Sequence, residues 1–355
     1  MNHLTGTVRI VGAGLLGTSI GLALTKQGFD VVISSQSPKS VDLAVGYGAG
    51  RVATETDLPE LIVVCVPPAM TAKIVADELA RYPNAVVTDV ASVKGSVLHE
   101  LQASGAPLER YVGSHPMAGR ERGGAISGRA DLFVGRPWVI TSHDGADERG
   151  IDLVADLASH LGSAVVRVGT KEHDRAVALV SHVPQLVSSL LASRLVTAAP
   201  EDIALAGQGL RDTTRIAASD PELWLQILEA NADEVLPLLQ SFAADLSSLI
   251  SGFEVREPQA QIRAVMEAGN IGVGRIPGKH GGTHTNYAQV IVMVEDRPGE
   301  LARLLTEVGE IGINLEELQL EHSPSAQIGL AELYVAPTEA ERLTADLVAR
   351  GWRIA

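Results

Sequence analysis

The sequence predicts an α/β protein that begins with a doubly wound, mainly parallel sheet and continues into an all-helical region and a small mixed domain. From Val8 to about Gly169, short β-rich apolar runs alternate with helical patterns, and the strand signals then stop. Continuous apolar runs between amphipathic helices are typical of parallel strands covered on both faces. Near the C-terminus the pattern changes again, to a ferredoxin-like βαββαβ order. We therefore expect three domains, at 1–169, 170–284 and 285–355.

The composition excludes several classes of protein. The chain has 355 residues and a formal net charge of −15. It has no long basic run, which argues against a nucleic-acid partner. A single cysteine, Cys65, excludes an intramolecular disulfide. No apolar run approaches the roughly 18 residues that a membrane span needs, and the N-terminus lacks a signal-peptide pattern. We expect a cytoplasmic protein that acts on a small molecule and has no membrane partner.

Seven runs in the first domain predict strands, because each is short, apolar and rich in β-branched residues. In chain order they are VRIVGAG, DVVISS, LIVVCVPP, NAVVTDVAS, YVGSHP, PWVITS and AVVRVG.

The first strand leads into a glycine-rich loop. Gly12, Gly14 and Gly17 form G-x-G-x-x-G directly after the strand and open a helix. The first glycine makes a tight turn, the second lets the backbone approach a pyrophosphate, and the third permits close helix–strand packing. The helix N-terminus then faces the phosphates with its unpaired N–H groups. The loop predicts a Rossmann-type dinucleotide site.

The end of the second strand bears on the choice between NAD and NADP. NAD enzymes carry an acid there for the ribose 2′-hydroxyl. Here Ser34, Ser35 and Gln36 stand at that position, and Lys39 follows. The absence of a carboxylate favours NADP slightly and leaves NAD open. We predict cofactor contacts from Gly12, Gly14, Leu15, Leu16, Gly17, Ser34, Ser35, Val66 and Lys94.

Candidate chemical groups follow two further strands. In VGSHPMAGRE, a histidine that can exchange a proton near neutral pH, His115, comes at a strand end. In TDVASVKG, Ser92 and Lys94 follow another strand, at the sheet edge where ligands of such folds bind.

Two long helical patterns dominate the middle region, 171–198 and 219–250. The first places His182 and Gln185 three residues apart, on one helix face. In the second, Asp220 is the expected N-cap before Pro221, and Pro237 is expected to kink or break the helix. Arg211, Asp212 and Arg215 precede this helix, and Trp224 lies in it.

The connector before the last domain contains His280 and His284, spaced by four. The glycines between them argue against the helix that would align them, so we predict no metal site. In the last domain, Asp296, Pro298 and Gly299 form a turn between a strand and a helix, where backbone N–H groups can bind a carboxylate. Asn314, at the start of the next strand, could close over such a ligand.

Together these motifs resemble the prephenate and arogenate dehydrogenases of tyrosine biosynthesis. The resemblance covers nearly the whole chain, through GAGLLGTS, ASVKG, GSHPMAGRE, SHVPQ and RDTTRIAASDPELW in family order. The last region, with VEDRPGELARLLTEVGEIGIN, resembles an ACT regulatory domain. The resemblance implies an NAD(P)-dependent oxidation of prephenate to 4-hydroxyphenylpyruvate with loss of CO2, or of arogenate to tyrosine. It also implies a homodimer built on the helical region, and an ACT domain that binds an aromatic amino acid such as tyrosine.

The resemblance also implies roles for particular residues. His115 bonds the ring hydroxyl of the substrate and takes its proton, and Ser92 supports that hydrogen bond. Arg215 holds a substrate carboxylate, Glu121 and Asp212 line the entrance, and Trp224 reaches the partner subunit's site. His182, Gln185 and Arg120 complete the predicted substrate contacts.

Two positions depart from the family pattern. Prephenate-using relatives often carry a histidine where this chain has Gln185, and a small residue where it has Arg120. The neutral amide leaves arogenate open as the substrate. Two other classes are less compatible with the sequence. A β-hydroxyacid dehydrogenase would need a lysine inside the first long helix, which Lys171 only precedes. A non-catalytic regulator would have a degraded catalytic set, and an ACT domain that only stabilises the dimer stays an alternative.

Overall fold

The computed structural model describes residues 3–119, 123–254, 259–276, 287–322 and 328–355. Two compact units can be distinguished by their internal contacts. The first contains 1–197 and 213–242, and the second contains 198–212 and 243–355.

An eight-stranded sheet forms the centre of the first unit, with strand order β3-β2-β1-β4-β5-β6-β7-β8. Neighbouring strands are parallel except β6 and β7, which are antiparallel. The seven predicted strands are confirmed, whereas the two-residue β3 was not predicted because it is too short to show a pattern. The strands are β1 Thr7–Val11, β2 Val31–Ser34, β3 Arg51–Val52, β4 Pro59–Val64, β5 Val86–Asp89, β6 Tyr111–Pro116, β7 Pro137–Ser142 and β8 Ala164–Gly169.

Apolar residues cover both faces of this sheet, as a doubly wound fold requires. Leu61 and Val63 of β4 belong to one buried cluster, and the alternate residues Ile62 and Val64 belong to another. Because successive strand side chains point to opposite faces, a continuous apolar strand needs helices on both sides. The helices up to residue 254 are α1 Leu15–Lys26, α2 Pro38–Gly46, α3 Pro68–Arg81, α4 Gly95–Ser104, α5 Glu148–His160, α6 Thr170–Val177, α7 Val183–Ser193, α8 Pro200–Ile203, α9 Gln208–Thr214, α10 Pro221–Ala230 and α11 Ala232–Glu254.

The first long helical pattern forms two α-helices joined by a wider turn. Between α6 and α7, residues Ala178–His182 form a π-helix. Such single π turns insert one extra residue into the helical register and are frequent at functional sites. His182 closes this turn, so its side chain is aimed differently from the straight helix that the sequence predicted.

The second long pattern is interrupted at a different residue from the one predicted. Asp220 caps α10 as expected, since its side chain accepts a hydrogen bond from the Glu222 N–H, and Pro221 is the first helical residue. Of the two predicted effects of Pro237, a break is wrong, because α11 continues through it, and a kink stays a prediction. The break lies at Asn231, where the buried side chain makes two hydrogen bonds outside the helix.

Two helical stretches are long and apolar enough to cross a membrane by length and composition, Thr170–Thr197 and Ala232–Glu254. The apolar runs of the sequence did not predict such stretches. They are weak evidence for a membrane span, because core helices of soluble proteins meet the same test.

The C-terminal part of the second unit has the predicted βαββαβ order. Four antiparallel strands lie in the order β10-β11-β9-β12, and buried residues such as Val292, Leu333, Leu304 and Leu347 join the sheet to two helices. The elements are α12 Gln259–Val273, β9 Ala288–Glu295, α13 Glu300–Ile311, β10 Glu317–His322, β11 Ile328–Val335, α14 Ala340–Ala349 and β12 Arg353–Ile354.

Candidate active site

The candidate site lies along one edge of the eight-stranded sheet. The strands β1, β4, β5 and β6 are adjacent and mutually parallel, so their carboxyl ends meet at the same edge. Gly12 and Gly14 follow β1, Ser92 follows β5, and His115 is the fifth residue of β6. Ligands of open α/β sheets bind outside the carboxyl ends of the strands, where the strand order reverses.

The glycine loop has the shape that a dinucleotide needs. Gly12 has a φ of +113°, and a Cβ there would approach the Cys65 carbonyl oxygen to 2.2 Å. A Cβ at Gly17 would lie 2.0 Å from the Gly12 carbonyl oxygen. At Gly14, by contrast, a Cβ would meet no atom of the described residues within 4 Å. Backbone packing therefore requires glycine at the first and third positions, and open space at the second admits a pyrophosphate at the start of α1.

The end of β2 is ordered by hydrogen bonds that involve serine. The Ser34 carbonyl accepts from the Gly12 N–H at 2.8 Å, and the Ser37 side chain caps α2 by accepting from the Ser40 N–H. The Ser37 N–H donates to Ser35 Oγ at 3.4 Å. Leu15 and Leu16 pack against one core cluster and Val66 against the other, beside the loop.

Lys94 does not fit its predicted role in cofactor binding. Its side chain is 1% exposed, and its ammonium pairs with Asp89 and donates to the Ser114 carbonyl at 2.8 Å. Tyr111 also donates to Asp89, at 2.7 Å. Burial lowers the pKa of Lys94, and the Asp89 carboxylate opposes that shift. An ammonium with these partners supports the backbone beneath His115 and is not available to a bound phosphate.

A chain of buried polar groups holds His115. Its Nδ1 lies 2.9 Å from Nε2 of His173, and the two rings meet edge to face at 5.1 Å. His173 Nδ1 is 2.7 Å from Asp174 Oδ1. Burial, then the nearby His173, Lys94 and His182, lower the pKa of His115 well below its usual value. The resting imidazole is therefore neutral, which is the form that accepts a proton.

Asp174 joins this chain to two other elements. Its carboxylate accepts from the backbone N–H groups of Lys94 at 2.9 Å and Gly95 at 2.7 Å, at the start of α4. The Asn231 side-chain amide donates to the Asp174 carbonyl at 2.9 Å and lies 3.0 Å from His182 Nδ1. Burial lowers the pKa of His182 to about 4, so this ring is also neutral.

Two of the predicted substrate residues, Gln185 and Trp224, line a cavity of about 360 Å³. Gln185 is buried, and Trp224 meets the ring of His182 edge to face at 6.0 Å. The cavity is lined by the loop after β6, the π turn, α7, the 3₁₀ turn and loop before α10, and α10 itself, through Gly119, Val180, Ser181, Pro184, Gln185, Ile216, Ser219 and Trp224.

The other predicted substrate residues lie in different surroundings. Arg215 is exposed in a short 3₁₀ turn, next to the cavity residue Ile216. His182 is 1% exposed and is not among the cavity residues. Asp212 belongs to the second unit, where it accepts from Gln208 at 2.8 Å. Ser92 is half-buried in the loop before α4, while Arg120 and Glu121 lie outside the described residues, as do His280 and His284.

The predicted regulatory residues are all exposed. Asp296 and Pro298 lie in the turn after β9, and Gly299 is the N-cap of α13 with a φ of +95°. The Asn314 side chain donates to Glu316 at 2.9 Å.

Sequence reasoning missed His173, Asp174 and Asn231. His173 and Asp174 are adjacent titratable residues at the start of a helix, a pattern that is usually solvent-exposed. Their burial follows from a contact with His115, 58 residues away, which spacing does not reveal. Asn231 has one weak signal, since a polar residue breaks the helical pattern there.

Two family models together match most of the chain. Residues 20–167 match the model described as "Prephenate dehydrogenase, nucleotide-binding domain", and residues 169–267 match "Prephenate dehydrogenase, dimerization domain". The chain belongs to the prephenate dehydrogenase family. Members of the family are NAD(P)-dependent oxidoreductases, and so is this protein.

Individual relatives and solved structures support the assignment to this family. A probable prephenate dehydrogenase of Streptomyces niveus is 35% identical over 98% of both chains. The structure of A. aeolicus prephenate dehydrogenase with hydroxyphenyl propionate and NAD+ is 26% identical, with a TM-score of 0.68 over 76% of this chain and 98% of that one. Synechocystis arogenate dehydrogenase is 25% identical, with a TM-score of 0.63 over 75% of this chain and 99% of that one.

Proposed function

We propose that this protein oxidises and decarboxylates prephenate to 4-hydroxyphenylpyruvate with NAD or NADP as the hydride acceptor. The observation that carries the proposal is the position of His115. It is a half-buried imidazole that its lowered pKa keeps neutral, at the carboxyl edge of the sheet that also carries the glycine loop. The prephenate dehydrogenase family match supplies the substrate class.

His115 is the proton acceptor in this proposal. A nicotinamide cofactor held by the glycine loop would accept the hydride. As hydride leaves the ring carbon that bears the hydroxyl, the hydroxyl proton moves to the free nitrogen of His115. Loss of the ring carboxylate as CO2 leaves its electron pair in the ring, which becomes aromatic with a phenolate oxygen. The phenolate takes the proton back from His115, so the reaction releases no net proton.

Substrate contacts come from the residues around the 360 Å³ cavity. Gln185 and Trp224 line it, and Arg215 next to Ile216 grips a substrate carboxylate through two parallel hydrogen bonds. Ser92 supports the hydrogen bond to the ring hydroxyl. We retain Arg120, Glu121, Asp212 and His182 as further candidates from the family pattern.

Arogenate is the second candidate substrate, and Gln185 is the observation that favours it. The neutral amide is buried in the cavity wall and donates to Ser189 Oγ at 3.4 Å. It adds no charge that would select a keto acid over an amino acid. The similarity to Synechocystis arogenate dehydrogenase keeps this substrate open.

The cofactor proposal leans toward NADP. The loop after β2 presents Ser35, Gln36 and Ser37 and no carboxylate, so nothing in it repels a 2′-phosphate. Lys39, in the first turn of α2, is exposed and could pair with that phosphate.

One assay tests substrate and cofactor together. Purified protein is mixed with prephenate or arogenate and with NAD or NADP, and reduced nicotinamide is followed by its absorbance. We expect turnover of prephenate, with a higher kcat/KM for NADP than for NAD. Turnover of arogenate alone would establish the second candidate, and no turnover of either would overturn the proposed function.

We propose three domains in chain order: a dinucleotide-binding domain at 1–169, a helical region at 170–284 and a C-terminal domain at 285–355. We propose that the helical region forms the interface of a homodimer. The dimerization model of the family matches 169–267. Its helices also carry exposed apolar side chains, including Leu190, Leu225, Leu236 and Phe242. Surfaces of this kind mark protein–protein contacts. A subunit interface would explain the two apolar helical stretches without a membrane span. We propose that the enzyme is cytoplasmic.

We propose that the C-terminal domain is an ACT domain that binds tyrosine. The βαββαβ order and the strand order β10-β11-β9-β12 support the comparison. Gly299, with a positive φ, is the N-cap of α13 and follows the turn of Asp296 and Pro298, and a helix N-terminus favours a bound carboxylate. Asn314 lies at the start of the segment that leads into β10.

A further inference from the structure

Two adjacent buried residues at the start of α6, His173 and Asp174, lie behind His115. They are 2% and 6% exposed, and neither lines the cavity of Gln185 and Trp224. The side chains form a line from Asp174 Oδ1 to His173 Nδ1 at 2.7 Å, and from His173 Nε2 to His115 Nδ1 at 2.9 Å. Each contact is short enough for a hydrogen bond, so each needs one donor and one acceptor.

The direction of these hydrogen bonds is set at the Asp174 end. Asp174 accepts two backbone N–H groups at the N-terminus of α4, one on each carboxylate oxygen. A helix N-terminus also favours negative charge. A carboxylate only accepts, so His173 Nδ1 must carry the hydrogen. In a neutral ring the other nitrogen then has a free lone pair, and His173 Nε2 must accept from His115 Nδ1.

We propose that His173, oriented by Asp174, is a positioning residue that holds His115 as the Nδ1–H tautomer and leaves its Nε2 free to take the substrate proton. The inference deepens the proposed function, since it rests on His115 being the proton acceptor. An isolated neutral imidazole favours the opposite tautomer, with hydrogen on Nε2. In that form His115 would present a donor to the substrate hydroxyl and could not accept its proton.

The same line of groups also stabilises the protonated form of His115. When Nε2 gains the substrate proton, the new positive charge lies one hydrogen bond from His173 and two from the Asp174 carboxylate. The Lys94 ammonium, paired with Asp89, opposes this charge. His173 and Asp174 therefore offset part of the unfavourable effect that burial and Lys94 have on protonated His115 during turnover.

Two substitutions at position 173 distinguish the loss of its hydrogen bonds from a change in side-chain volume. In His173→Gln, the amide group can donate to Asp174 while its oxygen accepts from His115 Nδ1. His173→Leu fills similar space and does neither. We expect the leucine variant to lower kcat by about 10²-fold or more. KM and the cofactor Kd should stay within about threefold, since His173 is buried and does not line the cavity of Gln185 and Trp224. The glutamine variant should recover kcat to within about tenfold of the parent.

Nitrogen NMR of the resting enzyme tests the tautomer directly. Protein labelled with ¹⁵N-histidine is recorded without substrate, and the His115 signals are assigned by their loss in His115→Asn. The parent and His173→Gln should show His115 protonated at Nδ1, and His173→Leu should show it protonated at Nε2. This readout needs no turnover, so it stands even if the substrate assignment fails. Nε2 protonation in the parent would overturn the proposal even if the leucine variant does not fold, and so would an unchanged kcat in a folded leucine variant.

Discussion

His115 shows how the surroundings of one side chain determine its chemistry. A histidine at a strand end is most often a satisfied loop residue. Here burial and three nearby cationic or imidazole groups lower its pKa well below the ordinary value, so it is neutral at rest. His115 Nδ1 is paired with His173, which leaves Nε2 of His115 as the nitrogen available to a substrate proton.

Substitution of His115 tests its role as proton acceptor. His115→Asn should lower kcat by about 10²–10⁴, because asparagine cannot take the hydroxyl proton. The cofactor Kd should be nearly unchanged, since the glycine loop is separate from β6. Steady-state kinetics and fluorescence titration with the cofactor measure both quantities. Near-normal turnover would contradict the assignment.

Arg215 is the proposed carboxylate-binding residue. Arg215→Ala should raise KM by about 30-fold or more, which corresponds to roughly 2 kcal/mol for a lost charged hydrogen-bond pair. Arg211→Ala is the matched control, because it removes a neighbouring exposed arginine. Its KM should stay within about twofold of the parent. Equal KM values in the two variants would exclude a specific role for Arg215.

The buried His182 predicts a pH dependence of stability. Its pKa in the folded chain is about 4, below the usual histidine value of about 6.5. Between these values the unfolded chain binds more protons, so the stabilising contribution is complete above pH 6.5 and is lost as the pH falls toward 4. The loss is roughly 3 kcal/mol. Urea unfolding of the parent and His182→Gln at pH 7.5 and 4.5 measures it. The variant should lose less stability on acidification, and parallel losses would contradict the assignment.

At the scale of elements, a buried ion pair between the end of β5 and the N-cap of α4 is hydrogen-bonded to β6. The Lys94 ammonium and the Asp89 carboxylate are 1% and 0% exposed, and Tyr111 and the Ser114 carbonyl complete their hydrogen bonds. Ser114 immediately precedes His115, so this cluster fixes the backbone that carries the base. A buried pair contributes little net stability, but removal of one partner leaves an uncompensated charge.

Substitutions in this cluster have unequal expected effects. Lys94→Met should destabilise the protein by about 3–5 kcal/mol, because Asp89 stays buried without its partner. The double variant Lys94→Met with Asp89→Asn should recover part of that loss, since no buried charge remains. Lys73→Met, which removes an exposed ion pair with Asp77, is the control and should change stability by less than about 0.5 kcal/mol. Urea unfolding measures all three. A double variant no more stable than Lys94→Met would argue against charge as the cause.

At the scale of the whole molecule, the two compact units raise the question of regulation. The C-terminal βαββαβ fold has a core of its own around Val292, Leu304 and Leu333. A ligand that binds it regulates catalysis only if its affinity differs between an active and an inactive state.

Truncation of the chain tests this coupling. In the full chain, saturating tyrosine should weaken substrate binding about 5- to 150-fold, the usual range of allosteric coupling, and activity at low substrate concentration should fall accordingly. A chain that ends near His284 should keep catalysis and lose this response, and Asn314→Ala in the full chain should weaken tyrosine binding in isothermal titration. Equal inhibition of both chains would place the inhibitor in the active site. It would leave the C-terminal domain a structural role.

The sequence by itself determined the order of the strands along the chain, the glycine loop, the N-cap of α10 and the βαββαβ order of the last region. These features depend on local physics: strand and helix periodicity, capping, and the φ values that only glycine adopts easily. His115 and Gln185 were also predicted as site residues, because their motifs are short and contiguous.

Only the tertiary structure decided which polar groups are buried together. The hydrogen bonds that bury Lys94 and Asp89 against Ser114 and Tyr111, the line from Asp174 through His173 to His115, and the helix break at Asn231 all depend on contacts between residues distant along the chain. The local sequence pattern around a histidine is the same whether its side chain is exposed or buried. Burial removes water, and the remaining hydrogen-bond partners then determine which nitrogen holds the proton. That constraint arises only when the carboxyl edge of the sheet packs against α6 and α10.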